Sequence, residues 1–205
     1  MKQKIIEGAE QLFMRYGVRS VSMDDVAREV SVSKKTIYQH FNHKDDLVTE
    51  TARNYLTGEM KEISEVTENA ADALEELFLL SKCIRQNISR VNPSLLYDLQ
   101  KYHPDAWEVF RDYKYNFIMG KVMSNLVRGK KENLYRTDIN EKILSVMRVE
   151  QVQLIFDERA FPKGDFDFVE VQVQIFDHFI HGLLSDNGRK YYQSYQKKHI
   201  ENQLK

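Results

Sequence analysis

Near its N-terminus the chain ends one helix and starts the next within a few residues, twice over, and no other feature restricts its fold so tightly. Ser22 offers a hydroxyl cap with Asp25 three residues on, followed by the apolar positions Val26, Ala27 and Val30. Ser31-Val32-Ser33 then interrupts the pattern with two small hydroxyl residues around one apolar anchor, and Ser33 can cap a further helix beginning at Lys34. In that helix Ile37 and Phe41 stand four apart, so both point to one side. Upstream, Ile5, Ala9, Leu12, Phe13 and Tyr16 form a helical stripe, and Gly17 stands where a left-handed C-cap is wanted. The spacing predicts three helices packed on a small core, the last two joined by a tight turn.

Charge separates the two faces of the third helix. Residues 1–47 hold eight basic and seven acidic side chains, yet none of the acids falls between Ser31 and Lys44. With Ile37 and Phe41 turned inward, the outer face carries Lys34, Lys35, Thr36, Tyr38, Gln39 and His40. The whole chain has a net charge of -1 and a pI near 6.6, so any affinity for polyanions has to come from this local patch. A solvated basic face is the ordinary reading of so few charges; the helix, turn, helix spacing favours a surface that docks on phosphates.

The rest of the chain also reads as helical: it has three prolines and eight glycines in 205 residues, and its apolar positions recur at helical spacing. Asp45 and Asp46 open a fourth helix running through Leu47, Thr51 and Tyr55. Ala70 to Ile88 carries a second stripe that Asn92-Pro93 ends, and Pro104 suits the first turn of a long helix through Trp107, Phe110, Phe117, Met119 and Leu126. Asp138 with Glu141 reads as the cap of a helix reaching Phe156, which Pro162-Lys163-Gly164 breaks. A further helix is expected from about Phe166 to a stop at Asn187-Gly188, with a polar helix after it. The expected fold is all-α, an N-terminal three-helix helix-turn-helix domain in residues 1–47 followed by a larger helical bundle in residues 48–205.

Several functions find no support in the residues. No apolar run is long enough to span a membrane, and the N-terminal segment lacks an apolar leader, which makes a cytoplasmic protein the expectation. Cys83 is the one cysteine, expected as a buried inert thiol. His178 and His181 lie three apart on one helix with no third metal ligand in view, so no metal or cofactor is expected. No nucleophile elbow, phosphate-cradling glycine loop, zinc helix or carboxylate–histidine iron motif occurs, so no catalytic residue is assigned. A helical-bundle enzyme and a protein-interaction module that does not bind DNA are the alternatives.

The string Ser33-Lys34-Lys35-Thr36-Ile37-Tyr38-Gln39-His40-Phe41, with Lys44 three residues on, resembles the helix-turn-helix signature of the TetR family of bacterial transcription regulators. The preceding Leu12-Phe13, Gly17, Ser22 and Val26-Ala27 agree in order and spacing, while Ser31 and Lys35 stand where the family commonly has glycine. Leu134 to Ile139 and Phe179 to Leu183 look like further elements of such regulators. The resemblance implies a sequence-specific repressor that binds a palindromic operator as a homodimer and is released by a small hydrophobic effector. It implies DNA contacts from Ser22, Ser33, Lys34, Lys35, Thr36, Tyr38, Gln39, His40 and Lys44, with Lys34, Lys35, Tyr38 and Gln39 nearest the base edges. It also implies a dimer face on the helices at about 140–156 and 166–186, where Val169, Val173, Phe176, Ile180 and Leu184 make an apolar stripe. Trp107, Phe110, Phe117 and Met147, with Tyr97 and Tyr102 as polar contacts beside His103, are the candidate effector-binding residues.

Overall fold

The computed structural model describes residues 1–88, 92, 94–155, 157, 159–162 and 164–203. Pro93, Phe156 and Lys163, which figured in the helix boundaries above, lie outside the described residues. The described residues fold into helices joined by turns, and the isolated bridge of Tyr135 with Leu184 is the only strand-like pairing among them. It divides into two compact units, one of residues 1–62 with 86–114 and the other of residues 63–85 with 115–205.

The first unit contains α1 (Lys2–Tyr16), α2 (Met23–Glu29), α3 (Lys34–Tyr38), the first part of α4 (Lys44–Glu68), α6 (Ser94–Tyr102) and α7 (Pro104–Asp112). Its core gathers Ile5, Ala9 and Phe13 of α1, Val26 and Ala27 of α2, Ile37 and Phe41 around α3, and Leu47 of α4. Leu95, Leu99 and Ala106 close it from α6 and α7. Tyr16, read as the end of the α1 stripe, is instead 48% exposed, with the Arg15 guanidinium over its ring. The stripe ends at Phe13 because α1 terminates at Gly17, whose φ of 79° turns the chain away; Gly17 N–H closes onto Phe13 O at 2.9 Å.

The second unit holds the end of α4, α5 (Ala73–Ile88), the π-helical turn Tyr113–Ile118 leading into α8 (Met119–Lys131), α9 (Glu141–Leu154), α10 (Phe168–Leu183) and α11 (Asp186–Gln203). Buried Tyr135 organises its centre: the hydroxyl lies 3.1 Å from both Ala73 O and Asn125 Oδ1, and Asn125 Nδ2 donates to Ala73 O at 2.7 Å. Burial pushes the Tyr135 phenol far above its ordinary value, so it stays a neutral donor. The two segments singled out by resemblance meet here, Arg136 N–H bonding Leu183 O at 2.8 Å and Ser185 N–H bonding Leu134 O at 3.0 Å.

Several boundaries differ from the sequence reading. Helix α3 ends at Tyr38, so Gln39, His40 and Phe41 follow it rather than belong to it. Asn140 caps α9, accepting from Ile143 N–H at 3.0 Å, where Asp138 was expected. Asp167 caps α10, which begins at Phe168 and stops at Leu183. Asn187-Gly188 does not end a helix but sits in the first turn of α11, where Gly188 N–H donates to Ser185 Oγ at 3.0 Å and a side chain at Gly188 would lie 1.9 Å from Leu134 O. Close packing, not chain reversal, requires that glycine.

Candidate nucleic-acid interface

The interface is assembled from two capped helices and the turn between them. Ser22 N–H donates to Asp25 Oδ2 at 2.8 Å while Ser22 Oγ accepts from Asp25 N–H at 3.2 Å, a reciprocal box that fixes where α2 begins. Hydrogen bonds from the Ser22 hydroxyl and backbone, with the Arg28 guanidinium beside it, lower the Asp25 carboxyl to about 2. The box is therefore intact above the ordinary carboxylate range and is lost only as pH falls towards 2.

After Val30, the turn passes through Ser31 at φ 55°, which lets Val32 N–H bond back to Ala27 O at 2.9 Å. This is the position where the resemblance noted glycine, and serine there adopts the left-handed conformation all the same. A left-handed L-residue costs about 1–2 kcal/mol, against roughly 0.5–1 kcal/mol of extra chain entropy for glycine. Ser31→Gly is expected to raise stability by up to about 1 kcal/mol, and a β-branched Ser31→Val to lower it by about 1–3 kcal/mol, read from urea unfolding. The reverse order would contradict the turn geometry.

Ser33 opens α3 by accepting from Thr36 N–H at 3.1 Å, and its Oγ lies 2.8 Å from Thr36 Oγ1. Ile37 is fully buried and Phe41 nearly so, each contributing about 1.5–3 kcal/mol of apolar burial and setting the roll of the helix. That roll leaves Lys34, Lys35, Tyr38, Gln39 and His40 exposed and Thr36 half-buried, with Ser22 and Ser33 exposed at the two helix starts. Lys34 Nζ lies 2.9 Å from Asp24 Oδ1, a pair that raises the lysine's pKa. Both side chains are more than half exposed, so exchanging Asp24 for a phosphate or a base edge costs little.

Lys44 stands apart from the other eight candidates. Its half-buried ammonium donates to Val18 O at 2.6 Å, and burial lowers its pKa despite the nearby carboxylates of Asp45 and Asp98. It ties α4 to the loop after α1, a role the sequence does not announce because the two positions are 26 apart. The pairing of Lys34 with Asp24 across the turn was equally invisible.

The effector candidates are scattered. Tyr97, Tyr102, Trp107 and Phe110 belong to the first unit, Phe117 and Met147 to the second. Tyr97, Tyr102 and Met147 are 55%, 40% and 40% exposed; Lys101 Nζ reaches the Tyr97 hydroxyl at 2.8 Å, and Arg19 lies over the Tyr102 ring. Trp107 and Phe110 stack at 5.2 Å, and His103 Nδ1 lies 2.7 Å from Asp45 Oδ1. A cleft of about 430 Å³ in the second unit is lined by Ser64, Thr67, Glu68, Glu76, Lys121 and Arg128, none of them in the apolar set. Among the described residues, no three His, Cys, Asp or Glu side chains are grouped to hold a metal, and no helix is long and apolar enough to cross a membrane.

Comparison with known proteins places this geometry. The chain is similar to YvaF, an HTH-type transcriptional regulator of Bacillus subtilis, at 26% identity over 191 residues that cover 91% of this chain and 97% of that protein. Its fold matches a transcriptional regulator from Saccharomonospora viridis, solved in complex with choline, at a TM-score of 0.76 and 19% identity, covering 90% and 97% of the two chains. SmeT in complex with triclosan matches at a TM-score of 0.69 and 13% identity, covering 90% and 92%. Residues 5–51 match the N-terminal domain of the bacterial regulatory proteins of the tetR family, a span that takes in α1, α2, α3 and the start of α4. Over residues 5–51 the chain is thus similar to the bacterial regulatory proteins of the tetR family, and over nearly its whole length to an HTH-type transcriptional regulator.

Proposed function

We propose that this chain is a cytoplasmic repressor that grips a palindromic operator as a homodimer and lets go when a small, largely apolar effector binds. One observation carries this reading: α3 and the turn after it expose Lys34, Lys35, Tyr38, Gln39 and His40 above an anchor of Ile37 and Phe41. Side chains of this kind suit a duplex groove, since lysine donates to guanine acceptors and glutamine pairs with both polar atoms of the adenine edge. Ser22, Ser33 and Thr36 then meet phosphates at the N-termini of α2 and α3, where unpaired N–H groups favour anions. Lys44 contributes mainly by fixing the start of α4.

In this reading residues 1–47 bind DNA and residues 48–205 bind effector and partner. Helix α4 runs from the first unit into the second, so a shift of its far end alters the separation of the two recognition helices and their match to half-sites about one helical turn, or a multiple, apart. Small ligands bound to the structural relatives support an effector of this size.

The test is a gel-shift titration of the full chain on the DNA upstream of its own gene and on a scrambled duplex. The operator is expected to bind at least about 1000-fold more tightly at physiological salt, with affinity falling steeply as salt rises. Equal affinity for the two duplexes would overturn the proposal.

A further inference from the structure

The second unit buries a cation that no carboxylate among the described residues pairs. Arg148, on the inner face of α9 beside Val149 and Ser145, is only 8% exposed, and no carboxylate, carbonyl or hydroxyl among the described residues accepts from its guanidinium. Its neighbours are aromatic: the guanidinium lies over the rings of Phe176 and Phe179 of α10 at 5.1 and 5.5 Å. Loss of hydration pushes Arg148 down to about 10, and the charge of half-buried Arg85 on α5 pushes in the same direction. Ring faces return less than dehydration of a guanidinium costs, so a buried arginine is ordinarily held by an anion.

The surroundings are unsatisfied in the same way. Gln172 of α10, one turn before Phe176, is buried with both the oxygen and the nitrogen of its amide unpartnered. Gln151, one turn after Arg148 on α9, buries an unpartnered amide oxygen. Phe78 of α5 packs edge-on against Phe176 at 5.9 Å, and Arg85 lies two turns beyond Phe78 on the same face. Two guanidiniums close enough to repel each other and two idle amides thus lie on α5, α9 and α10, the helices that carry or pack against these phenylalanine rings. A folded chain keeps so many buried polar groups unpaired only rarely.

We infer that Arg148 and Arg85 bind the carboxylate of an amphipathic effector, with Gln172 and Gln151 completing its hydrogen bonds and Phe78, Phe176 and Phe179 covering its apolar body. A guanidinium fork matches a carboxylate in two parallel bonds, which an ammonium or a neutral amide cannot reproduce. The inference rests on the effector-released repressor reading and names the chemical class of that effector. It assigns the effector site to residues absent from the aromatic and methionine set expected from the sequence.

Calorimetric titration of the full chain with octanoate and 4-phenylbutyrate, with the matching amides and with octyltrimethylammonium, tests the inference without DNA present. The carboxylates are expected to bind at least tenfold more tightly than their amides and than the cation. Arg148→Met is expected to erase that preference while the free protein unfolds at the same or a higher temperature, because a buried unpaired charge has been replaced by an apolar chain of similar length. Arg148→Lys is expected to restore part of it. Amides that bind as tightly as the acids, no binding of either acid at millimolar concentration, or an undiminished preference in Arg148→Met would each overturn the assignment. Operator binding by gel shift, run on the same samples, separates the two readings: sequence-specific binding without a carboxylate response sinks only this inference, and a carboxylate response without it sinks the repressor reading.

Discussion

Tyr38→Ala is expected to weaken operator binding by at least about 30-fold while leaving the thermal unfolding temperature and the oligomeric state unchanged. The side chain is 45% exposed at the outer face of α3, so its removal opens no cavity, unlike truncation of fully buried Ile37, which would cost about 2–5 kcal/mol of stability. A side chain at a base edge or groove wall is worth roughly 1–3 kcal/mol of discrimination, and a symmetric dimer loses it twice. Doubling that loss gives a factor between about 30 and several ten-thousands. Binding to scrambled DNA should change far less, because the phosphate contacts from Ser22, Ser33, Thr36 and the helix N-termini persist. Gel-shift titration on both duplexes, alongside a melting curve, checks the separation. A Tyr38→Ala protein with wild-type operator affinity would show that α3 does not read the groove through this face.

Much of this surface was legible because local chemistry dictates it. Ser22 with Asp25 and Ser33 with Thr36 cap α2 and α3 through contacts three residues apart, which a linear reading can find. The inward turn of Ile37 and Phe41 follows from their spacing and fixes which side chains are left outside. Features that depend on distant partners were not legible. Lys44 reads as one more surface cation until Val18 O is brought to it by the fold. Gly188 reads as a helix stop until Leu134 O occupies the space a side chain would need.

Arg148 gives the sharpest case. A charged residue between Met147 and Val149 suggests the polar edge of an amphipathic helix, and only the rings of Phe176 and Phe179 reveal that it faces inward. Hydrophobic periodicity treats arginine as solvent-facing by default, so a residue that breaks the rule for a functional reason is the one it misplaces.

The proposed dimer face leads to the other large effect. Of the stripe read from the sequence, Phe176, Ile180 and Leu184 are buried within the chain, whereas Val169 and Val173 on α10 are 49% and 40% exposed. Ile143, Met147 and Leu154 on α9 are 63%, 40% and 43% exposed, at spacings that put them on one side of the helix. Two adjacent helices with this much uncovered apolar surface fit a self-complementary interface, in which each residue contributes twice about a two-fold axis. The double substitution Ile143→Glu with Val173→Glu places four carboxylates in that interface. Each would have to be dehydrated without a partner or titrate to neutrality, at a cost of about 2 kcal/mol or more. The chain itself should fold normally, because both positions are open to solvent in the isolated protein. Sedimentation equilibrium is expected to show a monomer at micromolar concentration, with operator affinity reduced at least about 100-fold as the two recognition helices lose their link. Persistence of a dimer with wild-type operator binding would move the interface to another surface, while a monomer that still binds the palindrome at full affinity would remove dimerisation from the mechanism.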